Sequence, residues 1–228
     1  MVVLVAVAHA IRLAPRVLRL LQVPEHTFLR RWSNDYAPGG ETGESGLSEP
    51  QTAFLVALAR AAESRAAADV VYDPAYVEIP YPGGDVPAER GVCTDLVVRA
   101  FRDVGVDLQR DVHVDMSAQF DEYPAIWGLA APDSNIDHRR VPNLMVFFAR
   151  HGQVLPITDR PGDYRPDDIV TWDLGRGMTH IGIVTQSHTP GAERPLVAHH
   201  VGGNPTVNDA LFAWPTVGHF RYFGTAGR

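Results

Sequence analysis

Lysine is missing altogether from these 228 residues, so all 20 Lys/Arg positions are arginine. That excludes Schiff-base catalysis and a P-loop lysine. Cysteine is almost missing too. The single thiol, Cys93, has no internal disulfide partner and cannot build a CxxC metal knuckle, so it is either a packed thiol or a reactive one. Basic charge is scarce: the net charge is -7 and no run of arginines alternates with aromatics. The phosphate neutralisation that nucleic-acid binding needs therefore has no source. No GxGxxG or phosphate loop, no HExxH and no repeated His/Cys ligand spacing occurs, so no cofactor and no resident metal is expected.

What is present suits one soluble domain, with 45% hydrophobic and 21% charged residues. Residues 1–33 open on an apolar run broken by Arg12, then place Arg16 and Arg19 on one side of a helix, a basic amphipathic pattern. Three readings compete for residues 1–22: an atypical export signal, a helix on a membrane surface, or a helix packed on the domain. Residues 34–50 are rich in Gly, Ser, Pro and Glu and read as a flexible linker, which leaves residues 51–228 as the folded domain, expected to be a monomer.

Within that domain, Ser48 followed by Glu49, Pro50 and Gln51 reads as a helix cap before an alanine-rich helix. Residues 72–87 carry the prolines and paired glycines of an irregular segment or short edge strand. From Cys93, the residues Leu96, Val97, Ala100, Phe101 and Val104 fall at helical spacing, with Gly105 as the stop. Residues 107–140 read as polar and irregular, the rim of a site, and Pro142 starts a second apolar helix. The last third changes period. Residues 168–173, 180–186 and 195–202, with a further strand near His219–Phe223, are short, β-branched and separated by turn residues. Helices first and a meander after predict an α+β domain with N-terminal helices packed on a C-terminal antiparallel sheet.

A thiol in the first turn of a helix meets backbone N–H groups and the positive end of the helix dipole, which should lower its pKa. The same N–H groups suit the oxyanion of an attacked carbonyl. If residues 180–186 and 195–202 form a hairpin about Thr189 and Pro190, His180 and His199 stand directly opposite each other on one face, with Cβ atoms about 5 Å apart. His200 then points to the other face. In that arrangement His180 takes the Cys93 proton and His199 fixes its tautomer. Other readings stand beside this one. A lone cysteine on an apolar helix face is ordinarily a small buried hydrophobe. Cys93, His180 and His199 also make a three-ligand zinc set. Asp95 serves equally to favour the first helical turn while facing solvent. Asn135, Asp137, His138 and Arg139 serve as substrate contacts or as caps and a buried arginine pair. Trp127 and Trp172 serve as groove wall or core.

The blocks GVCTDLVVRAF, NIDHRRVPNLMVFF, DDIVTWDLGRGMTHIGIV and VAHHVGGNP, in that order, resemble the bacterial domain of unknown function 1287, grouped with the NlpC-like cell-wall cysteine peptidases. The resemblance runs from about Tyr72 to Tyr222. The NlpC-like pattern has a Cys-Ser/Thr-Gly-Leu-Val helix start, a Gly-Asp-Leu/Ile-Val strand, His-Val/Ile-Gly-Ile/Val, and a polar residue on the next strand. Here Asp95 replaces the glycine after Cys93-Thr94, Asp167 replaces the glycine before Asp168, and Val92 stands where an aspartate often precedes the cysteine. The resemblance implies a papain-like fold, catalytic Cys93 and His180 with His199 as third member, and cleavage of an amide in peptidoglycan stem peptides within the cell envelope. Asp95, Trp127, Asn135, Asp137, His138, Arg139, Trp172 and His200 are the expected substrate contacts. The alternatives are an acyl transferase or deacylase using the same pair, and a non-catalytic cell-wall-binding domain.

Overall fold

The computed structural model describes Trp32 and residues 47–224. The expectations for residues 1–31 and 33–46, including the membrane-surface reading, lie outside the described residues. No described helix is long and apolar enough to cross a membrane.

Helix α1, Glu49–Ala66, starts where its residues say it should. Ser48 and Gln51 form a reciprocal capping box and a proline occupies the first turn, so the domain begins inside the segment read as linker. Leu55, Leu58, Ala59, Ala62 and Ala66 make its buried stripe. The two-residue strands β1, Val71–Tyr72, and β2, Arg90–Gly91, pair in parallel and close the irregular segment between them. Helix α2 is Cys93–Asp103, and Gly105 takes the left-handed φ of 84° that stops it.

Where residues 107–140 were expected to be irregular, helix α3 occupies Leu108–Gln119. The Asp107 side chain caps it by accepting from the Gln109 and Arg110 amides, and Leu108, Val112 and Met116 form a stripe four residues apart. Three apolar positions among polar ones gave too thin a periodic signal. Helix α4 is Val141–His151.

Six strands follow as one sheet in the order β3-β8-β4-β5-β6-β7, every pairing antiparallel: Gln153–Val154, Ile169–Gly175, Met178–His188, Pro195–His199, Thr206–Asn208 and Thr216–Arg221 for β3 to β8. Strand alternation explains why both faces are apolar. Ile169, Ile181, Ile183, Ala198 and Phe220 meet the helices, with Leu58, Val97, Phe101, Leu144 and Phe148 opposite. Trp32 joins this core edge-on to Phe220, ring centroids 5.9 Å apart. On the other face Val170, Trp172, Val184 and Val197 are covered by Ala210, Leu211 and Trp214. The architecture is therefore α+β, with helices on one face of an antiparallel sheet.

Candidate active site

Cys93 is the first residue of α2 and is buried. Its thiol pKa was expected to fall; instead burial pushes it up to about 12, against backbone hydrogen bonding from Ile181, Thr94 and its own amide that pulls the other way. Desolvation of the thiolate outweighs the helix start, and the Asp95 charge adds to the rise. The sulfur meets β5 at the amide of Ile181, the residue next to His180. Strand alternation sends the Ile181 side chain into the helix-side core with Cys93, and the His180 ring to the face it shares with Trp172. No hydrogen bond joins the Cys93 sulfur to the His180 ring among the described residues.

The histidine pair does form, but not in the expected register. His199 stands opposite Gly182, because the loop between β5 and β6 runs longer than a symmetric turn at Thr189 and Pro190, and the register shifts between Val184 and His188. His180 and His199 are thus diagonal neighbours on one face, and the absence of a side chain at Gly182 opens the diagonal. A Cβ at Gly182 would stand 2.8 Å from Val197 Cγ1 and 3.1 Å from the His199 Cβ. Across that gap His180 Nε2 lies 2.9 Å from His199 Nδ1.

His199 Nε2 in turn lies 2.9 Å from Asn208 Oδ1, a residue that sequence reasoning missed. Strand β7 brings it there: His199 pairs with Thr206, and Asn208 is two residues further on the same face. The protons follow from the chemistry. Asn208 Oδ1 only accepts, so His199 carries its proton on Nε2 and offers a lone pair at Nδ1. His180 must then donate from Nε2, which leaves its Nδ1 as an unprotonated acceptor. That nitrogen has no hydrogen-bond partner among the described residues. Trp172 stacks on His180 at 5.4 Å and Trp214 meets both imidazoles edge-on at 5.7 and 6.0 Å. Burial among them, together with His199 and His200, pushes His180 down to about 3; burial also lowers His199. Both rings are neutral at neutral pH.

The expected substrate contacts divide. Asp95 does not face solvent: it is buried, accepts from the Val92 amide at 2.7 Å, and holds Arg139 through two hydrogen bonds of 2.8 and 3.0 Å. The backbone role left open by Val92 is taken by this carboxylate. Arg139, also buried, reaches the Ala75 carbonyl at 3.0 Å, while its own carbonyl accepts from Thr94 Oγ1 at 3.1 Å. Asp95 and Arg139 fasten segment 137–139 to the start of α2, and neither is presented to a ligand. His138 is buried and pushed down to about 4 by desolvation and then by Arg139. Asn135 tethers the rim, accepting from the Ile79 amide and donating to the Tyr76 hydroxyl, both at 2.9 Å. Asp137 is buried and accepts from the Asp133 amide; desolvation pushes it up to about 6. Trp172 is sealed, its indole N–H on the Leu211 carbonyl at 3.1 Å. His200 is buried too, with Nε2 at 3.0 Å from the Gly203 carbonyl. Of this set Trp127 and Asn135 stay half-exposed, and Trp127 lies beside a half-exposed arginine, Arg140.

A second residue missed from sequence is Tyr72. It is exposed, packs edge-on against His200 at 5.0 Å, and lies near enough to Cys93 and Asp95 that their charges, after desolvation, raise its pKa. Nothing in the proline-rich segment around it marks it out from sequence. Asp167 explains its own departure from the motif: its φ is 78°, the left-handed region where glycine is the usual residue. Among the described residues no group of three or more His, Cys, Asp or Glu side chains is placed to hold a metal. A groove along the outer face of α1, lined by Thr52, Val56 and Arg60 among others, contains none of the candidate residues.

The chain belongs to the family described as domain of unknown function (DUF1287), whose model matches residues 59–222, beginning inside α1 and ahead of the region where the resemblance was seen. It is similar to the uncharacterized protein YijF of Escherichia coli (strain K12), 51% identical over 168 residues that cover 74% of this chain and 82% of that protein. No solved structure matches.

Proposed function

We propose that this chain is a cysteine-dependent amide hydrolase of papain-like fold, with Cys93 as nucleophile, His180 as base and then acid, and His199 and Asn208 as the groups that orient it. The observation that carries the reading is the relay from Asn208 through His199, which leaves a lone pair on His180 Nδ1, one residue along β5 from the amide that meets the Cys93 sulfur. The thiol and imidazole both rest neutral, so the proton moves with the chemistry rather than before it. As the sulfur bonds to the carbonyl carbon, its proton passes to His180 Nδ1, and the imidazolium is stabilised through Nε2. The C–N bond then breaks as His180 returns the proton to the leaving amine. Water, deprotonated by the same ring, hydrolyses the thioester and reprotonates the sulfur. The α2 backbone N–H groups suit the transient oxyanion. Because His180 and Ile181 project to opposite faces of β5, the transfer requires substrate binding to turn the His180 end of the strand towards the sulfur.

The NlpC-like order of helix-start cysteine, strand histidine and polar partner supports peptidoglycan stem peptides as substrate and the cell envelope as location. Digestion of purified peptidoglycan, read by mass spectrometry, tests this: wild type releases new fragments, and Cys93→Ala and His180→Ala do not while remaining folded. Activity retained in either variant defeats the mechanism. A second reading, a cell-wall-binding domain that does not cut, draws on the thiol pushed up to about 12 and on its lack of a hydrogen bond to His180. It predicts peptide binding without release of any fragment.

A further inference from the structure

The rim beside the Cys93 helix start holds one arginine whose neighbours orient it without satisfying it. Arg139 and Arg140 are consecutive but opposite in character. Arg139 is enclosed and spent on Asp95 and Ala75, and its carbonyl is tied to Thr94, the residue after Cys93. Arg140 follows directly as the N-cap of α4, so its backbone is fixed beside the start of α2 while its side chain turns out to the rim. There the guanidinium lies over the Trp127 ring, 4.1 Å from the centroid. Its one ionic contact among the described residues is Arg140 Nη1 to Asp137 Oδ1 at 3.4 Å, too long to rank as a strong charge-assisted hydrogen bond.

A guanidinium has five N–H donors in a planar fork. Trp127 takes one face of Arg140 and buried Asp137 sits behind one nitrogen, so most of the fork is held in a fixed plane with no protein acceptor among the described residues. The other nearby carboxylate, Asp133, is occupied by the Tyr76 hydroxyl and by the amide groups of Asn135. Burial lowers the Arg140 pKa more than Asp137 and Asp133 raise it, the mark of a cation short of counter-charge.

We propose that Arg140, laid on Trp127 and backed by Asp137, is a carboxylate-binding subsite that seats an acidic group of the peptide next to the Cys93 helix start. The proposal deepens the hydrolase reading by specifying an acidic peptide as ligand, and its test does not depend on turnover. In the Cys93→Ala protein, N-acetyl-alanyl-glutamate and the same peptide with its carboxylates amidated are titrated by calorimetry, with tryptophan fluorescence followed in parallel. The acid form should bind about tenfold or more tighter than the amide, the scale of one lost charge-assisted pair. Adding Arg140→Ala should erase that preference. Adding Arg140→Lys, which keeps the charge but not the fork or the stack, should recover only part of it, a result that loss of folding would not produce. Equal binding of acid and amide, preference for an amine-bearing peptide, no binding of either form, or a preference that survives Arg140→Ala would each overturn the subsite. Loss of peptidoglycan cleavage in Cys93→Ala bears on the hydrolase reading alone.

Discussion

Asn208 accepts from His199 Nε2 at 2.9 Å, and this one contact sets the proton positions of both buried imidazoles. Replacing Asn208 with Ala removes the acceptor and frees His199 to flip its tautomer. We expect kcat to fall about tenfold or more with KM little changed, because orientation of the base rather than substrate contact is lost. Asn208→Asp makes the acceptor anionic and should raise the pKa of the pair, shifting the acid limb of the rate profile upward. An unchanged profile in both variants would remove Asn208 from the relay.

Burial holds His180 near 3, so under the proposed mechanism it would stay competent as a base well below the range in which a solvated histidine protonates. The profile of kcat/KM against pH should therefore show no acid limb near 6.5, and activity should persist to about pH 4. A half-maximal point between 6 and 7 would mean that the imidazole is solvated.

The resting thiol should alkylate slowly. With Cys93 pushed up to about 12, iodoacetamide labelling at neutral pH should lag behind free cysteine and climb about tenfold per pH unit from 7 to 10. A rate already level at pH 8 would point instead to a preformed thiolate beside a charged His180.

Gly182 is required by the His180–His199 diagonal. An added Cβ would lie 2.8 Å from Val197 Cγ1 and 2.9 Å from the Ala198 carbonyl, so β5 and β6 must separate. Gly182→Ala should cost about 1–3 kcal/mol in stability and lower activity beyond what unfolding explains. Denaturant melts beside rates at a temperature where the variant remains folded will separate the two effects.

Asp167 stands where the NlpC-like pattern has glycine, at a stability cost that depends on pH. Desolvation first, then the neighbouring Asp168, pushes its carboxyl up to about 8, above its unfolded value near 4. The native state thus favours the protonated form, so the residue's stabilising contribution is intact below pH 4 and is lost as pH rises to about 8. Asp167→Gly, which also suits a φ of 78°, should stabilise the fold little at acid pH. The gain should grow by at most about 1.4 kcal/mol per pH unit towards pH 8. Melting temperatures at pH 5 and pH 8 check the sign.

What the sequence made legible was local. The Ser48 cap, the apolar spacing after Cys93, the stop at Gly105 and the β-branched runs each depend on neighbours a few residues away, and each element formed. Helix α3 escaped notice because Leu108, Val112 and Met116 sit among polar residues. The rest depended on distant partners. The Gly182–His199 register follows from loop length and an irregularity in β5. Asn208 enters through a three-residue strand too short to announce itself. Burial of Asp95 against Arg139 joins residues 44 apart in sequence, and turns two expected substrate contacts into a structural clasp. The direction of the Cys93 pKa reversed because helix-start stabilisation can be read from spacing, whereas enclosure cannot.

The most direct measurement is intact-protein mass spectrometry of wild type and Cys93→Ala, acid-quenched during turnover of purified muropeptides. The account predicts an acyl adduct on wild type that maps to Cys93 and is released by hydroxylamine, with neither adduct nor product from Cys93→Ala. Product formed by Cys93→Ala, or turnover by wild type with the label on any other residue, would contradict it.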